Sequence, residues 1–379
     1  MENKKIMIIL LAIIVLATAL RAYNLDKKEL GTDESWTVYH SKGFVSEDFH
    51  KYLLGENQPP LFHILGGFLT LISDNYTFLR SITIIISILG IIIFYKVSKE
   101  YFNVKWSLIA TFLYSINPMY FIYSQHFRFY IVMMALAPLS FHYFYQFLQN
   151  EDKYRKKILI VNSILLLTHY YALFLIGSQI LIYLWKSKYN LKKVLRSKYI
   201  QRISIIMTIV IIQIISTIYF KFLKESRELE GTWGPLVDTL GKVVYPLYKY
   251  ATMLDISSTL ILDVYSNFII ASIAILLALG GVIYFKKENN KKNNYLIATS
   301  IMTIIPPLII GTITSFYSFR YVTFLLPIFI IYMTKGIEGT QNKKIQYILM
   351  IIMTIGWIYI IGIYWEMFTS PKWAIHFGV

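Results

Sequence analysis

The chain has 379 residues, of which 56% are hydrophobic and only 15% charged, with a mean hydropathy of +0.54. Apolar runs of spanning length recur from end to end, which excludes a soluble globular domain and points to an all-α polytopic membrane protein. The formal net charge of +16 sits in short loops between these runs, a pattern that orients a membrane protein and argues against nucleic acid as a partner. There is no cysteine, and so no disulfide or thiolate metal site.

Met-Glu-Asn-Lys-Lys precedes an apolar stretch from Ile6 to Leu20. Arg21-Ala22-Tyr23-Asn24 then follows in place of a small-x-small cleavage site. The stretch therefore reads as an uncleaved first span that enters from the cytoplasm. Residues 22–58 carry seven acids against four bases, and residues 224–265 carry six against four; both loops are expected outside. Lys96–Lys105, Lys153–Lys157, Lys186–Arg202 with seven Lys/Arg and no acid, Lys286–Lys292 and Lys335–Lys344 are expected in the cytoplasm.

These assignments agree only if Pro59–Ser73 does not span and if Ile158–Trp185 is two short helices. The first segment is ~22 Å long as a helix, short of a ~30 Å hydrocarbon core. His63, Gly67, Thr70 and Asp74 recur along it at spacings of 4, 3 and 4, a polar stripe suited to an amphipathic helix in the interface. The second segment is interrupted by Thr168-His169-Tyr170-Tyr171.

The expected map has eleven spans, near 5–22, 78–96, 105–122, 128–148, 157–170, 172–186, 203–223, 266–285, 295–313, 320–334 and 346–365, with a juxtamembrane helix at 59–73. It forms one domain over 1–379, with the C-terminus outside and loops 22–58 and 224–265 building the active-site face of a multi-pass cell-membrane protein. Trp233 and Pro235 lie in the second of these loops, where they either shape an acceptor site or pack.

On this map the polar residues outside the cytoplasm gather on one face: Asp33, Glu34, Gln58, His63, Gln125, His126, Arg128, His169 and Arg320. Adjacent acids at the mouth of a span are costly unless solvated, paired or used. Snorkelling at a span end competes with a binding role for Arg128 and for Arg320-Tyr321, and a plain interfacial position competes for His63. His126 and His169 have no metal-specifying spacing. A divalent metal stays open, and no cofactor is required.

The order of these motifs resembles the GT-C glycosyltransferases of the protein O-mannosyltransferase and aminoarabinose-transferase type. Arg21-Ala22-Tyr23 leads to Thr32-Asp33-Glu34, similar to the acidic pair of that family's first external loop. Asn57-Gln58-Pro59-Pro60-Leu61-Phe62 is similar to its N-x-P-P-L segment. Ser124-Gln125-His126-Phe127-Arg128-Phe129-Tyr130 is similar to its S-Q-E-A-R-x-Y segment, with His126 in place of the common Glu. Leu167–Tyr171 and Phe319-Arg320-Tyr321 with Pro327 also have counterparts, so the likeness runs over about 21–365.

The resemblance implies transfer of a sugar from a polyprenyl-phosphate donor to a glycan, lipid or protein hydroxyl outside the membrane, by an inverting displacement. It implies Asp33 as general base, with Glu34 orienting the acceptor or holding the site. Arg128, Tyr130 and Arg320 would bind the donor phosphate, and Gln58, His63, Gln125, His126, His169 and Tyr321 would line the substrates. A planar guanidinium fork suits phosphate oxygens. A transporter or flippase of a lipid-linked or anionic solute is the alternative. It predicts internal repeats and mid-membrane charges, and no repeat is found. A polymerase or ligase would share the lipid donor.

Overall fold

The structure, a computed structural model, describes residues 2–28, 31–47, 49, 52–53, 58–224, 261–313 and 319–369. Most of the loop 224–265, with Trp233 and Pro235, lies outside the described residues, as do Asn57 and the end of the C-terminal tail. The described chain is helical, with helices α1 Glu2–Ala22, α2 Thr32–Phe44, α3 Leu61–Ile72, α4 Tyr76–Ser98, α5 Val104–Ile116, α6 Pro118–Ser124, α7 Tyr130–Gln149, α8 Glu151–Thr168, α9 Ala172–Lys186, α10 Leu191–Arg196, α11 Lys198–Lys224, α12 Ile261–Lys287 and α13 Lys291–Ile313. A 3-10 segment, Phe319–Leu325, leads into α14 Leu326–Gly339, and α15 Lys343–Thr369 follows.

Seven of these helices are long and apolar enough to cross a membrane, and α3, α5 and α9 are shorter apolar helices. The expected boundaries differ in three places. Residues 105–122 are not one helix, because Asn117-Pro118 interrupts them. Pro118 offers no backbone N–H to continue α5, and the Asn117 side chain caps α6 by accepting from the Tyr120 N–H. The span at 320–334 begins as a 3-10 segment. The external loop 22–58 contains the 13-residue helix α2, with Asp33 and Glu34 in its first turn. Acids there meet the positive end of the helix dipole.

Between α8 and α9 the chain breaks at His169. That residue is extended, and its Nδ1 accepts the backbone N–H of Tyr171 at 3.1 Å. An imidazole thus takes the place of the missing helical carbonyl. Residues Leu61–Ile72 are helical, as the sequence suggests. Phe62, His63, Gly66 and Gly67 are buried, while Leu65, Phe68, Leu71 and Ile72 are exposed and make an apolar outer face. The buried side packs on α2, where a Cβ on Gly66 or Gly67 would collide with Ser41. These glycines let α3 hold α2 closely.

The charged loops expected in the cytoplasm meet at one end of the bundle. Lys292 pairs with Glu100 at 2.8 Å, Lys335 with Glu288 and Glu338, and Glu151 accepts from Tyr183 and Ser197. The Asp33 region and the α8–α9 break belong to another cluster, joined through Arg128, Arg320 and Tyr321. Between them, Asn162 is buried and bonds Ser140, Gln179 and Tyr199, so that α7, α8, α9 and α11 share one satisfied polar knot.

Candidate active site

Glu34 and Asp33 are neighbours in sequence but face different surroundings. The Glu34 side chain is 1% exposed and the Asp33 side chain 47%. Arg80, on the first turns of α4, grips Glu34 with two parallel bonds, Nε to Oε1 at 3.0 Å and Nη2 to Oε2 at 2.7 Å. The Phe127 N–H donates to Oε1 at 2.8 Å. Arg80 Nη1 also donates to the Lys28 carbonyl at 2.7 Å, and Lys28 Nζ to the Gln125 carbonyl at 2.9 Å. Burial alone would push the Glu34 carboxyl up. The nearby Lys28 charge and the Arg80 bonds outweigh it and hold the group below the usual carboxylate range.

This buried cluster fixes the segment that carries Arg128. Gln125 Nε2 donates to the Arg21 carbonyl at 2.8 Å, and Thr83 Oγ1 donates to the Ser124 carbonyl at 2.8 Å. His126 Nε2 and the Tyr364 hydroxyl lie 3.0 Å apart, tying the segment to α15. Burial, with Lys28 adding to it, holds the His126 imidazole well below its ordinary range, so it is neutral. Glu34, Gln125 and His126 thus face inward as braces.

Arg128 emerges from this base on the other side. Its Nη1 donates to the Asp33 carbonyl at 3.0 Å and to Thr37 Oγ1, and its Nη2 lies 3.7 Å from Asp33 Oδ2. The guanidinium carbon is 5.0 Å from the Phe129 ring centre and 5.7 Å from that of Tyr130. Arg320 arrives from the 3-10 segment, and its Nη1 meets the same Asp33 Oδ2 at 2.6 Å. Two guanidiniums therefore converge on one half-exposed carboxylate, an arrangement with one net positive charge that is open to solvent on one side.

His169 and Tyr321 form the adjoining aromatic wall. The His169 ring lies 4.9 Å from Phe129, 4.7 Å from Tyr170, 5.1 Å from Tyr321 and 6.4 Å from Tyr130, centre to centre. Asp33, Arg128, Arg320, Tyr130, His169 and Tyr321 are therefore drawn together. His63 is not: it stacks on Phe44 at 5.4 Å, at the end of α2 away from Asp33. Eleven residues separate Asp33 from Phe44, about 16 Å along a helix. Gln58 is buried, and its carbonyl accepts from Gln213 Nε2 at 3.0 Å, which fastens it to α11.

Sequence reasoning passed over Arg80, Lys28 and Thr37. Arg80 carried a signal, because a guanidinium inside an apolar helix demands a carboxylate and Glu34 was near the mouth of the same bundle. Among the described residues no three His, Asp or Glu side chains converge to hold a metal ion.

A sequence profile described as dolichyl-phosphate-mannose-protein mannosyltransferase matches residues 57–218. That stretch holds Arg80, Arg128 and His169. No curated protein matches the sequence. Among solved structures the chain resembles ArnT from Cupriavidus metallidurans in the apo state, with TM-score 0.58 and 12% identity over 86% of this chain and 59% of that one. The same protein bound to undecaprenyl phosphate gives 0.59 and 12% over 86% and 60%. The Archaeoglobus fulgidus oligosaccharyltransferase in complex with Zn and sulfate gives 0.52 and 12% over 93% and 52%. The fold is that of the GT-C membrane glycosyltransferases, and the chain is a multi-pass membrane protein. It spans between half and three-fifths of the length of these structures.

Proposed function

We propose that the protein is a GT-C glycosyltransferase that moves a sugar from a polyprenyl-phosphate donor to a hydroxyl acceptor on the outer face of the membrane. The observation that carries this reading is the half-exposed Asp33 carboxylate flanked by Arg128 and Arg320. The profile match and the solved relative that binds undecaprenyl phosphate support it. The acceptor hydroxyl attacks the anomeric carbon as the carbon–phosphate oxygen bond breaks, with inversion. Asp33 takes the hydroxyl proton, and the lipid phosphate leaves with the bonding electrons.

Charge selects the donor class. Arg128 and Arg320 against Asp33 leave one net positive charge, which a phosphodiester neutralises. A diphosphate would overload the site. The developing negative charge on the leaving phosphate is met by guanidinium forks already held in place, which is the kind of term that contributes most to catalysis. Without donor, Arg320 occupies Asp33 Oδ2. Donor phosphate competes for that guanidinium and thereby frees the carboxylate to act as base. Tyr130 and Tyr321 line this phosphate site. Glu34 and Arg80 position the machinery and do not touch substrate.

Arg128→Lys retains the charge but loses the planar fork, and Arg128→Ala loses both. Turnover and affinity for undecaprenyl phosphate are expected to fall in that order, by about tenfold and then a further tenfold. Unchanged donor affinity and turnover in Arg128→Ala would make Arg128 a mere span-end anchor. The sidedness is tested separately, since the native chain has no cysteine. A cysteine at Ser35 should react with an impermeant thiol reagent in intact cells, and one at Lys192 should not. The reverse pattern overturns the outer-face assignment.

A further inference from the structure

We infer that His169 is a neutral hydrogen-bond donor to the donor phosphate, placed between Phe129, on which Arg128 rests, and Tyr321, the neighbour of Arg320. The inference rests on the reading of Arg128 as a phosphate ligand and adds a binding residue to that site. His169 is 1% exposed. Its Nδ1 accepts the Tyr171 N–H at 3.1 Å and so carries no proton. The neutral ring must then bear its proton on Nε2. Yet Nε2 is buried and meets no hydrogen-bond partner among the described residues. A buried, unanswered N–H costs about as much as a lost hydrogen bond, and such a group calls for a partner.

The surroundings say what partner suits it. The imidazole packs against Phe129, the same ring on which the Arg128 guanidinium rests, and against Tyr321, the residue next to Arg320. An acceptor that reaches Nε2 thus also comes beside Arg128. The tautomer is dictated by backbone geometry at the α8–α9 break, so the donor is fixed before any ligand arrives. Being uncharged, it adds a bond to a phosphate oxygen without raising the site's positive charge beyond what a phosphodiester balances. A third cation would favour a diphosphate. A lysine or arginine here would change the ligand class, whereas the histidine keeps it.

The test uses the purified full chain in nanodiscs with two probes, undecaprenyl phosphate and the uncharged undecaprenol. His169→Phe preserves the aromatic packing and deletes both the Nε2–H and the Nδ1 acceptor of the Tyr171 N–H. The expected result is a loss of about tenfold or more in affinity for undecaprenyl phosphate. Undecaprenol binding should stay unchanged even if the lost Tyr171 bond lowers the unfolding temperature, and His169→Gln should recover part of the affinity. Should His169→Phe unfold, His169→Gln set against His169→Leu makes the same comparison. If His169→Phe keeps full affinity for the phosphate while Arg128→Ala loses it, the N–H is spent on a neighbouring ring face and the assignment to His169 is wrong. If both variants keep it, the phosphate reading of the whole site fails with it. Equal losses for both lipids would show a packing role only and overturn the inference.

Discussion

Asp33→Asn is expected to fold, insert and bind polyprenyl phosphate while turnover falls by about a hundredfold or more. The amide is nearly isosteric, but it cannot take a proton from an acceptor hydroxyl. Its oxygen can still accept a bond from Arg320, now without the charge. Donor binding should be retained or tightened, because the carboxylate no longer competes with phosphate for the two guanidiniums. Single-turnover transfer measured beside equilibrium donor binding separates the two effects. Normal turnover in Asp33→Asn would remove the base from the mechanism, and a parallel loss of donor binding would make Asp33 a structural partner of Arg320.

Glu34→Gln is expected to act first on stability. It leaves Arg80 and Lys28 buried beside a neutral amide where a carboxylate stood. Removing one side of a buried pair costs about 3–5 kcal/mol, enough to lower the unfolding temperature in detergent by several degrees or prevent accumulation in the membrane. Replacing Glu34 and Arg80 together by apolar residues should cost less than the two single changes summed.

The pH dependence follows from the same group. The folded-state Glu34 carboxyl sits below its unfolded value. Its contribution is therefore complete above about pH 5, and it is lost progressively as pH falls below the unfolded value near 4.3 toward the folded one. A Glu34→Gln protein of wild-type thermal stability but without turnover would move Glu34 from a positioning role into the chemistry.

The fold was legible where composition forced it. Recurrent apolar runs leave only helices, and the shortness and polar stripe of 59–73 marked α3 in advance. Thr168-His169-Tyr170-Tyr171 marked the break between α8 and α9. Helix α2 was not legible, because Thr-Asp-Glu-Ser-Trp reads equally as a solvated loop. Its helicity depends on packing against Gly66 and Gly67 of α3 and on the Arg80 grip, both remote in sequence.

The separation of Asp33 from Glu34 was invisible for a related reason. Adjacent residues on a helix point about 100° apart, and once α2 exists one acid must face the bundle while the other faces out. The polar stripe of α3 was read correctly, but its direction was not. The sequence reading gathered His63 with the acidic pair on one face, whereas the structure packs it on Phe44 at the far end of α2. Arg128 and Arg320 were both nominated for phosphate. Their meeting on a single Asp33 oxygen depends on a tertiary contact 287 residues apart in the chain.

The most direct measurement incubates the purified protein with a panel of polyprenyl-phosphate sugars and an acceptor mixture, and follows release of free polyprenyl phosphate. The account predicts release with at least one donor, with inverted configuration in the product, lost in Asp33→Asn and restored by neither added nucleotide sugar nor a polyprenyl-diphosphate donor. Release that proceeds unchanged in Asp33→Asn, or transfer that runs only from a diphosphate-linked donor, would contradict it.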